Sequence, residues 1–267
     1  MSRVSKNRGL AVRVFARWKV VVALGALCAA AFHVPGLPGL LIDPEISNLL
    51  TADYVGAAAS ENLSTTQVGK PGELFGLDTE PVFGGALSEK WRRVEAEIAR
   101  DREDIAQCRA SQPCSAPAQK LIDLSQQGAG RSSRARVGLI NRAVDLAIKP
   151  ASDERQWGVA DRWSDPFETL SLERGDCEDY AIVKYTALLE AGFPKESLKI
   201  VVWKNRLPEE DHAVLAVRVD NQWLILDNVT LALVRDTDVR RVIPEFVLDG
   251  QGVRRLISNS WMRKLSS

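Results

Sequence analysis

The sequence has 267 residues, 45% of them hydrophobic, enough for one medium-sized globular domain plus a leader but not for two full domains. Lysine plus arginine balances aspartate plus glutamate at 35 each. That balance argues against nucleic acid or an acidic polymer as the partner, which would call for a one-signed field.

The chain opens with Arg3, Lys6, Arg8, Arg13, Arg17 and Lys19 and no acid, followed by an apolar run from residue 20 to 32. This is a signal-peptide pattern; stretched across residues 35–42 it becomes an uncleaved membrane anchor. Export is expected in both cases, with residues 1–42 as the leader. Residues 43–87 are rich in Gly, Ala, Ser, Thr and Pro without periodicity, and are read as a loosely ordered arm. The compact domain is expected over residues 88–267.

Trp91, Val94, Ile98 and Ile105 recur at near-helical spacing and predict an amphipathic helix over 88–107. A second helix is expected over 116–126, broken by Gly128 and Gly130. A third runs over 134–148, with Val137, Ile140, Val144 and Ile148 on one face before Pro150 stops it. Between the first two lie Cys108 and Cys114, which in an oxidising compartment are expected to close a small disulfide loop. One thiol of the mature domain, Cys177, is then left over.

A polar and aromatic connector over 151–174 carries Trp157, Trp163 and Pro166. Residues 180–191 are apolar nearly all round, which places that helix inside the core, and Gly192 and Pro194 end it. Two β-like runs follow at 198–203 and 213–219, and a third at 223–229 lies across the turn-forming Asp220 and Asn221. Helices before strands predict an α+β fold, with an antiparallel sheet packed on a central helix that bears Cys177.

Cys177 falls in the first turn of that helix, where unpaired N–H groups and the helix dipole favour a thiolate. His33 lies in the leader, so any imidazole chemistry in the mature domain falls to His212. If Asp220 and Asn221 form a two-residue turn, Val219 pairs with Gln222, and His212 lies on the same face as Asp227, one diagonal step away. A three-residue turn would put them on opposite faces. A Cys177–His212–Asp227 triad suits nucleophilic acyl chemistry: thiol attack, proton shuttling by the imidazole, and orientation of the ring by the acid. Each residue also has a plainer reading: an inert buried thiol, a hydrogen-bonded strand-edge histidine and a turn aspartate. Asp176, Glu178 and Asp179 crowd carboxylates around the thiol. They either complement the helix dipole or provide oxygens for a hard cation. By the helical period Asp179 points about 200° away from Cys177, which ranks it third as a ligand.

The segments GDCEDYA (175–181), DHAVL (211–215) and LILDN (224–228), with DRWSDPFETL (161–170) upstream, resemble the bacterial transglutaminase-like cysteine proteinases, the family of the LapG-type periplasmic proteases. The resemblance runs from about Trp91 to about Val234. It implies a papain/transglutaminase-like core, with Cys177 as nucleophile, His212 as base and Asp227 as orienting acid. It further implies a periplasmic endopeptidase that cleaves the N-terminal region of a large surface adhesin, which releases the adhesin and disperses biofilm. Calcium close to the nucleophile, at Asp176, Glu178 and Asp179, is implied too, as is an inner-membrane cyclic di-GMP receptor that sequesters the protease. Two other functions are compatible with the same residues, a transglutaminase that passes the acyl group to an amine and a non-catalytic periplasmic binding module.

Overall fold

The computed structural model describes residues 72–110, 113–207 and 209–257. The expected leader and the arm up to residue 71 lie outside the described residues. In chain order the elements are β1 (Asp78–Pro81), α1 (Ala86–Ala110), α2 (Ala116–Ser125), α3 (Ser133–Ala147), β2 (Lys149–Pro150), α4 (Asp153–Trp157), α5 (Pro166–Leu172), β3 (Arg174–Gly175), α6 (Cys177–Glu190), β4 (Leu198–Arg206), β5 (Glu209–Val219), β6 (Gln222–Leu226), β7 (Val234–Arg235), β8 (Val242–Asp249) and β9 (Gly252–Ile257).

Apolar spacing and end signals account for the helices. On α1, Trp91, Val94, Ile98 and Ile105 form the buried stripe. Trp91 meets the Tyr185 ring edge-on at 5.8 Å and donates through Nε1 to the Asp249 carbonyl at 3.0 Å. Ser115 caps α2 by accepting from the Ala118 N–H, and Asp165 caps α5 by accepting from the Glu168 N–H. On α6 every residue from Glu178 to Leu188 is buried. That makes it the central helix, and each fully buried Leu, Ile or Val on it contributes roughly 1.5–3 kcal/mol.

Seven strands form one sheet in the order β1-β9-β8-β4-β5-β6-β7, and every pairing given within it is antiparallel. One face, with Ile200, Leu215, Val217, Leu224 and Leu226, packs in the same core as Ile182, Leu188 and Val144 of the helices. The opposite face carries Val201, Trp203, Val214, Trp223 and Ile225, and Leu74 and Phe75 pack on it. The expected α+β class, with the Cys-bearing helix against an antiparallel sheet, is the fold observed.

Residues 72–87 depart from the expected loose arm. Leu74 is buried, the Trp223 Nε1 donates to the Gly72 carbonyl at 3.0 Å, and β1 pairs with β9. A sheet that is apolar on both faces needs a second cover. This segment supplies it with a few anchoring side chains and an edge strand, neither of which produces a periodic pattern. The strands β8 and β9 were not foreseen either. Alternation in β8 is interrupted at Pro244, where the register against β4 shifts between Val202 and Trp203, a bulge that accommodates a residue without an N–H donor.

Candidate active site

Two local features fix the start of α6. The first is a parallel clasp in which β2 pairs with β3, Pro150 opposite Gly175, and the Ala151 N–H donates to the Gly175 carbonyl at 2.9 Å. The second is Gly175 itself, where an added Cβ would lie 2.6 Å from both the Cβ and the Oδ2 of Asp179. Asp176 then occupies the N-cap position in extended conformation and Cys177 is the first helical residue.

Cys177 is the free cysteine among the described residues, while Cys108 and Cys114 are joined in the expected disulfide. Its Sγ accepts from the Ala213 N–H at 3.4 Å and donates to Glu178 Oε2 at 3.2 Å. The thiol therefore touches β5 at the residue after His212. Burial pushes the thiol far above its ordinary range, and the Glu178 and Asp176 charges add to this. This differs from the thiolate expected at a helix start. Desolvation and two adjacent acids outweigh the partial charge of the helix terminus.

The two-residue turn is present: Val219 pairs with Gln222, and Asp220 and Asn221 both have positive φ, at 51° and 60°. The resulting register brings His212 Nε2 to 2.9 Å from Asp227 Oδ1, and the same oxygen accepts from the Val229 N–H at 3.0 Å. Trp203, opposite His212 on β4, lies against the imidazole with ring centroids 5.8 Å apart. Burial works to raise the Asp227 carboxyl, but the hydrogen bonds from His212 and Val229, then the His212 charge and last the Lys184 charge, outweigh it, so the group lies below its ordinary value.

The carboxylate oxygens of Asp153, Asp176 and Glu178 lie within 4.8 Å of one another. Burial raises Asp176. Burial and then the Asp176 charge push Glu178 up to about 9. Asp153 Oδ2 accepts from the Arg162 N–H, whereas Asp153 Oδ1 and Asp176 Oδ1 are buried without a hydrogen-bond partner. Asp179, expected as a third ligand beside Asp176 and Glu178, lies outside this group. Its Oδ1 accepts from the Ser164 N–H at 2.9 Å, and burial foremost pushes its carboxyl up to about 7. The helical rotation turns Asp179 Oδ1 toward the connector, while its Oδ2 is buried without a hydrogen-bond partner, and the third member of the acidic group is Asp153. Sequence spacing gave no sign of Asp153, since only the clasp between β2 and β3 brings the start of α4 to the start of α6.

Cys177 and His212 open into a cleft of 520 Å³ lined also by Trp163, Val202, Phe246 and Glu245. The Arg93 guanidinium donates to the Trp163 carbonyl at 2.8 Å, and Lys90 pairs with Asp161 at the cleft wall. An enclosed thiol, an imidazole backed by an ionised acid and a lining that is apolar in part suit acyl chemistry on a peptide or amide.

The family model for bacterial transglutaminase-like cysteine proteinases matches residues 106–240, half of the chain. No curated protein matches. Among solved structures, LapG of Legionella pneumophila is similar at 20% identity and a TM-score of 0.47, covering 61% of this chain and 91% of that one. Its calcium-bound form has 20% identity and a TM-score of 0.45, covering 63% and 98%. The EGTA-treated form has 21% identity and a TM-score of 0.47, covering 60% and 87%. On the family match, the chain belongs to the bacterial transglutaminase-like cysteine proteinases.

Proposed function

We propose that the protein is a calcium-dependent periplasmic cysteine endopeptidase acting through Cys177, His212 and Asp227, with the N-terminal region of a large surface adhesin as substrate. The observation that carries this reading is the pair of contacts around the thiol and the ring. Cys177 Sγ rests on the backbone beside His212, and His212 Nε2 is held by Asp227 at 2.9 Å. With Nε2–H donated to the acid, Nδ1 is the nitrogen left to exchange a proton with the thiol.

The reaction runs in two stages. The Sγ proton moves to His212 Nδ1, the sulfur bonds to the scissile carbonyl carbon, and the carbonyl π pair moves onto oxygen, which the Cys177 backbone N–H at the start of α6 can receive. Collapse breaks the C–N bond, and the leaving amine takes the proton from Nδ1. Water then attacks the thioester with His212 as base, returning the acid product and the free thiol.

Asp153, Asp176 and Glu178 are the residues proposed to hold calcium. Two buried carboxylate oxygens without partners suit a hard cation that takes oxygen ligands. When bound, the ion neutralises acids that otherwise oppose ionisation of the thiol. The Cys108–Cys114 disulfide is consistent with an oxidising compartment. Release of the adhesin, dispersal of biofilm and sequestration by an inner-membrane cyclic di-GMP receptor belong to the same reading.

The test is to incubate purified protein with the organism's largest surface protein, in calcium and in EGTA, and to sequence any new N-terminus. Cleavage in calcium that is lost in EGTA and in Cys177→Ala is the expected result. An intact substrate in calcium would reject the protease reading, and incorporation of a labelled amine without cleavage would replace it with acyl transfer.

A further inference from the structure

The hydrogen bond to Asp227 restrains one atom of the base, His212 Nε2. The plane of the ring, and with it the direction of Nδ1, is left to whatever covers the ring faces. The His212 side chain is only 11% exposed, and the cover from β4 is Trp203, directly opposite it in register. The two rings lie 5.8 Å apart between centroids with their planes 40° from each other.

Trp203 is itself fixed on two sides. Its Nε1 donates to Asn205 Oδ1 at 3.1 Å, and the Phe75 ring meets it edge-on at 6.4 Å with an interplanar angle of 73°. Phe75 takes up that place in a left-handed backbone conformation, φ 55° and ψ 12°. A bulky side chain enters this region only at a conformational cost, and such costs gather at functional sites. The conformation is held from both ends: the Phe75 N–H donates to Asp236 Oδ2 at 2.7 Å, and the Gly72 carbonyl accepts from Trp223 Nε1 at 3.0 Å. Neither Trp203 nor Phe75 is among the described residues that line the cleft, so both reach the chemistry through His212.

We propose that Trp203 and Phe75 are positioning residues for the base. Trp203 sets the plane of the His212 ring and shields its bond to Asp227 from water, and the segment from Gly72 to Leu77 is a strap that holds Trp203 in place through Phe75. The thiol is then delivered by the helix on one face of the sheet, while the base is oriented from the other. The inference rests on the reading of His212 as the base that serves Cys177.

The test uses the full chain in a His33→Gln background labelled with ¹⁵N-histidine, so that the imidazole signals are those of His212. Two rates are read well below the Tm of each variant: exchange of the His212 Nε2 proton with water, and alkylation of Cys177 by iodoacetamide at neutral pH. Trp203→Leu removes the covering ring, Trp203→Phe keeps one, and Phe75→Leu loosens the strap without touching Trp203. His212→Asn is the reference for alkylation. Trp203→Leu should speed exchange and slow alkylation, each about tenfold, less than the roughly 100-fold that a misplacement of about 1 Å costs. Trp203→Phe should recover most of both, and Phe75→Leu should move both the same way by about threefold. A purely structural Trp203 would lower Tm and leave exchange and alkylation alone. Wild-type exchange and alkylation in folded Trp203→Leu or folded Phe75→Leu would overturn the inference while His212→Asn still slows alkylation. If Trp203→Leu does not fold, Phe75→Leu decides. If His212→Asn alkylates as wild type does, the reading of His212 as base itself fails.

Discussion

Gly175→Ala tests how tightly the start of α6 is held. Gly175 is not a positive-φ residue, so the substitution acts through sterics alone. The added methyl carbon would lie 2.6 Å from Asp179 Cβ and from Asp179 Oδ2. Carbon atoms settle at roughly 3.5–4.0 Å, so one side must retreat by about 1 Å. Oδ2 can swing away, but Cβ is fixed by the helix. The displacement therefore falls on the clasp or on the first turn that carries Cys177. Overpacking of this kind costs about 1–3 kcal/mol, which for a domain of this size lowers Tm by roughly 2–12 °C. A shift of about 1 Å at a nucleophile lowers turnover about 100-fold. Asp179→Ala retains the Cβ and should not rescue the variant, whereas Asp179→Gly should restore part of the stability. Differential scanning calorimetry with Cys177 alkylation as the activity probe measures both quantities. Wild-type Tm and alkylation in Gly175→Ala would refute the steric argument, and rescue by Asp179→Ala would place the clash on the carboxylate instead.

Asp227→Asn should lose less turnover than Asp227→Ala in a cleavage assay, because the Val229 N–H that now binds Oδ1 can hold an amide oxygen in the same place, preserving the imidazole tautomer; equal losses would argue against this. Reduction of Cys108–Cys114, which are 6 residues apart, should cost about 2 kcal/mol by loop entropy and leave Cys177 reactivity unchanged, as seen by thermal unfolding with and without reductant. Asp101, pushed up to about 7 chiefly by burial and then by the Asp165 charge, has a folded value above its unfolded one. Its contribution is therefore fully present below about pH 4 and is lost as pH rises to about 7. Asp101→Asn keeps an acceptor for the Phe167 N–H and should flatten that part of the Tm profile; an unchanged slope between pH 4 and 7 would reject the assignment.

Legibility in the sequence followed the range over which the determining forces act. Trp91, Val94, Ile98 and Ile105 fixed α1 because one helix face records its own burial. The pairing of His212 with Asp227 was readable because a two-residue turn sets strand register locally. Asp153 was invisible because its place depends on Pro150 pairing with Gly175, a long-range contact between two-residue strands with no pattern to betray them. Lys184 escaped notice for a related reason: in a helix apolar nearly all round, one lysine looks like an exception to burial, and only its contact with Asp145 gives it a partner. The upward shift of the Cys177 thiol was not readable in full because the helix terminus is a sequence-local effect, whereas desolvation depends on everything packed around the thiol.

The clasp between β2 and β3 also governs what the connector is free to become. Because Lys149–Pro150 and Arg174–Gly175 are zipped together, the chain between them is a loop closed at its base. Lengthening such a loop adds only slowly to its closure entropy, about 0.6 kcal/mol for each doubling. Exposed Val159 and Ala160, on the stretch between α4 and Trp163, are thus a place where insertions can accumulate at the mouth of the cleft while Asp153 and Cys177 stay in register. In a lineage under pressure to recognise new targets, the mouth could diversify while the thiol and its acids keep their geometry.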